Sequence, residues 1–139
     1  MASFNKFYSF TKDVAEKVHN LGSDTLKVVL SNTLPVNTNT QLSNITQISN
    51  GNGYTTGGTQ ATTASSSQSS GVYKLVLNDV TFLASGGSIG PFQYAVLYND
   101  TATNDELIGW WDYGAAVTLT NGNSFIVDFD GATGVLTIT

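Results

Sequence analysis

The sequence predicts an all-β protein, a β-sandwich or jelly roll of about eight antiparallel strands with one N-terminal amphipathic helix. Three observations carry this. From Gly71 to Thr139 short apolar runs alternate with Gly, Asn-Gly and Asp-Gly turn signals. The polar content is Ser, Thr, Asn, Gln and Gly, with charged residues at 11% against 40% hydrophobic, a composition that favours strands and turns over long exposed helices. Helical spacing is good in only one segment, near the N-terminus. At 139 residues the chain has the length of a single domain, 1–139.

That first segment, residues 1–22, places Phe4, Phe7, Thr11, Val14, Val18 and Leu21 three or four apart, on one helical stripe. Ser3 is the expected cap and Gly22 the expected left-handed stop. Such a helix either covers an open end of the β-core or docks on a neighbouring subunit. Thr25 to Leu30 reads as a first strand. Residues 31–70 then form a long polar loop region in which 31 of 40 residues are Ser, Thr, Asn, Gln or Gly and none is charged, and for the Ser-rich stretch from Thr62 to Ser70 a flexible linker is the compositional reading. Leu42, Ile45 and Ile48 recur every three residues and argue for a packed helical turn there. A weak strand is expected over Tyr54 to Gln60, and a mobile loop over Ser65 to Ser70.

The strand-rich core spans residues 71–139. Val72 to Leu77 and Val80 to Ala84 are the first two runs, followed by turns at Gly86-Gly87 and Gly90-Pro91. Phe92 to Tyr98 is apolar on both faces, the mark of a central strand covered on both sides. Leu107 to Tyr113 carries Trp110 and Trp111, which alternation sends to opposite faces. Val117 to Thr120 and Ser124 to Phe129 flank Asn121-Gly122, a hairpin signal, and Gly134 to Ile138 closes the run.

The chemistry-bearing residues are few. There is no Cys and no Arg, and His19 is the sole histidine, so neither a disulfide, a thiolate metal site nor a histidine dyad is expected. Asp128, Asp130, Asp112, Asp105 and Glu106 read better as turn and loop acids than as a calcium loop or glycosidase pair. Gly86 to Pro91 is Gly-rich but precedes a strand, so it lacks the helix N-terminus of a phosphate cradle. No catalytic residue, cofactor or metal is therefore assigned. Residues 1–30 carry a charge of +1 and the remainder −6. An acidic body without Arg argues against nucleic acid as a partner, and no apolar run approaches the roughly 18 residues of a membrane span. The aromatic and apolar residues Phe4, Phe7, Phe10, Val14, Trp110 and Trp111 are the candidate partner-binding set.

Longer words of the sequence carry a resemblance. Residues 17–36 (KVHNLGSDTLKVVLSNTLPV), 45–58 (ITQISNGNGYTTGG), 86–101 (GGSIGPFQYAVLYNDT) and 107–114 (LIGWWDYG) resemble a family of tailed-bacteriophage virion structural proteins. The resemblance spans nearly the whole chain and implies a non-enzymatic capsid decoration or cement protein with a jelly-roll fold. It would be made in the host cytoplasm and carried on the virion surface, binding the major capsid protein and itself as a dimer or trimer. A tail or fibre component with a carbohydrate-binding face is the alternative.

Overall fold

The computed structural model describes residues 2–139 and is an all-β sandwich of ten strands and one short helix. In chain order these are β1 (Asn5–Lys6), α1 (Ser9–Ala15), β2 (Leu26–Ser31), a 3₁₀ turn (Leu42–Asn44), β3 (Thr59–Ala61), β4 (Thr63–Ser69), β5 (Val72–Leu77), β6 (Val80–Leu83), β7 (Ile89–Asn99), β8 (Leu107–Leu119), β9 (Ser124–Val127) and β10 (Leu136–Ile138). They make three antiparallel sheets, ordered β1-β8-β7-β2-β3, β10-β5-β4 and β6-β9.

The five-stranded sheet is apolar on both faces because β2, β7 and β8 alternate two sets of apolar side chains. One face presents Val28, Leu30, Ala95, Leu97, Ile108 and Trp111 to Leu75, Leu77, Val80, Phe82 and Val127 of the two smaller sheets, forming the main core. The other face presents Val29, Tyr94, Val96, Tyr98, Leu107 and Trp110, and is closed by Phe7 and Ile45, with Leu42 packed against them. The central strand expected at Phe92 to Tyr98 is thus β7, covered on both sides. It begins earlier than expected, at Ile89, and runs through Gly90-Pro91.

The helix predicted over residues 3–21 is confined to Ser9–Ala15. Phe4 and Phe7 lie three apart and would share one helical face, yet the sheet has an apolar core on each side. In extended backbone the two side chains point to opposite faces, so each reaches a different core. Phe4 packs on Trp111 at a centroid distance of 5.4 Å, Phe7 is fully buried in the other cluster, and Asn5 and Lys6 pair with Trp110 and Gly109. Tyr8, not Ser3, stands at the helix start. The helix stops at Lys17, whose φ of 67° is left-handed, with Val18 N–H bonded to Asp13 O at 2.8 Å and Lys17 N–H to Val14 O at 3.3 Å, the paired bonds of a Schellman end. Gly22 lies further on, where a Cβ would come within 3.2 Å of Ser66 Oγ.

The polar region 31–70 is not a loop throughout. The expected turn near Leu42 is present, and the weak strand falls later, at β3. The Ser-rich stretch forms β4, joined to β5 by Ser70-Gly71 with both φ values positive, a two-residue hairpin turn. All of its side chains but Ser65 are exposed, so it leaves no hydrophobic pattern to read. The hairpin expected around Asn121-Gly122 is also revised. The turn forms, with Asn123 N–H on Thr120 O at 3.0 Å, but Ala84 bonds both Gly122 and Asn123 and draws the outgoing strand β9 to β6. The strand runs expected at 107–113 and 117–120 are continuous as β8.

The N-terminal arm is consequently core, not an accessory. Phe7→Ala is expected to cost about 3–5 kcal/mol, whereas Tyr8→Ala at the next, exposed position is expected to stay within about 0.5 kcal/mol; chemical denaturation of the two variants measures the difference.

Candidate contact surfaces

The residues predicted to meet a partner are mostly interior. Phe7, Phe10, Trp110 and Trp111 are buried, and Phe4 and Val14 are half-buried against the main core. They do not come together as one surface. Trp110 lies on the outer face of the five-stranded sheet, edge-on to Tyr94 at 6.0 Å, with its Nε1–H donated to Asn37 Oδ1 at 3.3 Å. Trp111 lies on the inner face between Phe4 and Phe129, each at 5.4 Å. The opposite-face expectation therefore holds, and a bulge decides which goes where: Leu97 pairs with Gly109 and Tyr98 with Leu107, leaving Ile108 as the extra residue. Ile108 and Gly109 both turn inward, and a Cβ on Gly109 would collide with the Phe4 ring.

The apolar side chains that do face solvent are different ones. Tyr8 is 64% exposed, and its N–H bonds Asn37 O at 2.9 Å, on the segment that also carries the exposed Leu34 and Val36. On the far side of the sandwich Leu83 and Ile126 are 54% and 53% exposed. Thr81 pairs with Ile126 and Leu83 with Ser124, so Leu83 and Ile126 are diagonal neighbours on the solvent face of the β6-β9 ribbon. Their alternates Val80, Phe82 and Val127 fill the core beneath. Alternation in Val80 to Ala84 and Ser124 to Phe129 contained this pattern, but without the pairing nothing brought the two residues together.

A cleft of about 340 Å³ opens where β8 and β9 approach, lined by Trp111, Asp112, Tyr113, Ile126, Asp128 and Phe129. Asp112 accepts from Gln93 Nε2 at 2.9 Å and Gly114 N–H at 2.7 Å, and these bonds hold its carboxyl below the usual carboxylate range. Tyr113, raised to about 12 by burial and then by Asp128, is the half-exposed ring.

A buried polar network that includes the histidine joins the helix end to the loop after β7. Asn99 Oδ1 accepts the N–H groups of Thr101 and Ala102 at 2.9 and 3.2 Å, which fixes its amide orientation. Its Nδ2 then donates to Asp24 Oδ2 at 2.7 Å and to His19 Nδ1 at 3.0 Å. His19 must accept there, so its proton sits on Nε2, which is buried without a partner. Burial holds His19 below its ordinary value of 6.5, opposed by Asp13, Glu106 and Asp24. Among the described residues no group of three or more His, Asp or Glu side chains is gathered as a metal site, and no helix is long and apolar enough to cross a membrane.

No family model matches this chain, and neither curated proteins nor solved structures give a match.

A histidine lowered on folding leaves the unfolded chain to bind the extra proton, so its contribution to stability is present above pH 6.5 and is lost as pH falls below it. Unfolding free energy is expected to decline from about pH 7.5 to about pH 5.5, and His19→Gln to flatten that decline. Denaturant titrations of both proteins isolate His19 from Asp13 and Asp105, which burial raises and which bias the slope the other way.

Proposed function

We propose that this chain is a non-enzymatic structural protein of a bacteriophage virion, a capsid decoration or cement protein that binds the major capsid protein and stabilises the head. The observation that carries the reading is the exposed apolar pair Leu83 and Ile126 on a rigid β-ribbon whose reverse side is anchored in the main core. Leaving such side chains in water gives no stability to the monomer, and adjoining exposed apolar groups suit protein contact. The resemblance of the sequence words to phage virion proteins supports the same placement, as does a surface rich in Ser, Thr and Asn, which needs no counter-ions to stay intact in dilute medium. The partner is then the outer face of the major capsid protein, with further copies of the chain alongside.

The tail or fibre reading, with a carbohydrate-binding face, is supported by the cleft beside Tyr113. Its aromatic platform is small, because Trp110, Trp111, Tyr94 and Tyr98 are all buried. Tyr113 is the ring left to stack on a sugar, flanked by Asp112 and Asp128.

Mass spectrometry of purified particles is expected to find hundreds of copies of the chain per virion; a handful would overturn the decoration reading. Leu83→Glu and Ile126→Glu are expected to weaken particle binding about tenfold or more, a loss of about 1.4 kcal/mol, with the melting temperature nearly unchanged. Loss of glycan-array binding in Tyr113→Ala, with circular dichroism intact, would establish the carbohydrate reading instead.

A further inference from the structure

Edges of the sheets are guarded unequally. β1 has two residues, β3 and β10 three, and β6 and β9 four each, all short enough to give a foreign strand little to pair with. The β10 flank of its sheet is also bordered by α1, since Phe10, Thr11, Val14 and Ala15 share a groove with Thr137, Ile138 and Thr139. β4 is the exception. It runs seven residues, Thr63–Ser69, pairs only with β5, and contains no Lys, Pro or acidic residue. A strand of this length left open normally carries a charge or a proline that blocks edge-to-edge association.

Its register identifies which groups face outward. The tight turn Ser70-Gly71 makes the flanking pair Ser69–Val72 hydrogen-bonded, and alternation along the ladder makes Ser67–Lys74 and Ser65–Val76 hydrogen-bonded too. The backbone N–H and C=O groups of Ser66 and Gln68 therefore point to the free edge. Neither forms a backbone bond elsewhere in the fold.

We propose that β4 is a self-association seam: two copies of the chain pair antiparallel through β4 about a two-fold axis at Ser67, joining their three-stranded sheets into one of six strands. Ser66 of each copy exchanges backbone hydrogen bonds with Gln68 of the other. Charge selects a second copy for this place. The chain has a net charge of −5, with −6 of it beyond residue 30, so two copies repel across most of their surfaces. Residues 31–70 carry no charge at all, and β4 is the one strand in that stretch with an open edge of this length. Its side chains are small: Ser66, on the face it shares with Leu75, already meets Tyr73 OH at 2.9 Å and lies in a groove with Gly22, while Ser65, Ser67 and Ser69 leave the opposite face open to close approach, and an isologous contact closes as a dimer without growing into a fibre.

This inference rests on the self-association part of the proposed role, and its test uses the purified full-length chain with no particle present, so it stands or falls separately from capsid binding. Sedimentation is expected to give twice the chain mass. Gln68→Pro removes an N–H that β5 does not use, so it should retain the circular dichroism spectrum and halve the sedimenting mass. Ser67→Cys puts the protein's single thiol on the two-fold axis in a non-hydrogen-bonded pair, close enough to its copy for a disulfide. It should cross-link on mild oxidation. Ser65→Cys, which lies opposite Ser69 of the other copy in this register, should not. A wild-type chain that sediments as a monomer overturns the proposal. So does an oligomer that survives Gln68→Pro while Ser67→Cys fails to cross-link.

Discussion

The structure depends on one constraint, that β2, β7 and β8 are apolar on both faces. A sheet of this kind has no side it can show to water, and each buried aliphatic or aromatic side chain on it is worth about 1.5–3 kcal/mol only if both faces are covered. The two smaller sheets cover one face. The other is covered by parts that do not look like core in composition: the segment around Leu42 and Ile45, and the N-terminal arm through Phe7. The long neutral stretch and the arm are thus components of the fold before they are anything else.

Covering a sheet with irregular chain leaves backbone polar groups to satisfy, and this protein does so with neutral side chains. Ser31 Oγ donates to Thr46 O at 2.6 Å, and Tyr54 OH donates to Gln47 Oε1 at 2.8 Å while accepting from Leu30 N–H at 3.3 Å. Tyr98 OH donates to Gly57 O at 2.6 Å. The bonds of Ser31, Leu30 and Tyr98 tie the cover to β2 and β7 of the central sheet at no cost in charge burial. The high Ser, Thr, Asn and Gln content with few ions follows directly. At Gly58, with φ of 77°, any side chain would strike Val28 O, which is how closely the covering chain is laid down.

Much of this was legible in the residues. The all-β class, the doubly covered strand near Phe92 to Tyr98, the packed turn at Leu42 and the opposite faces of Trp110 and Trp111 all come from period-two alternation and turn residues, which are local properties. The helix was over-read because Phe4, Phe7, Val14 and Leu21 fit a period of 3.6 as well as they fit a strand followed by a shorter helix. β4 was missed because an exposed edge strand of Ser and Thr differs from a flexible linker only in having a neighbour. That most of the predicted contact set is interior was not legible for a related reason: an aromatic residue carries no mark of whether its face is solvent or a second core.

By itself the sequence determined the class of fold, the central strands β2, β7 and β8 and the scarcity of titratable chemistry, because these follow from composition and from spacing within a few residues. Only the tertiary structure decided that the five-stranded sheet has two cores, that the bulge at Ile108 assigns Trp110 to one and Trp111 to the other, and that Leu83, Ile126 and most β4 side chains remain exposed. Those outcomes depend on which strands pair and in what register, and pairing joins residues as far apart as Asn5 and Trp110, beyond the reach of any local pattern.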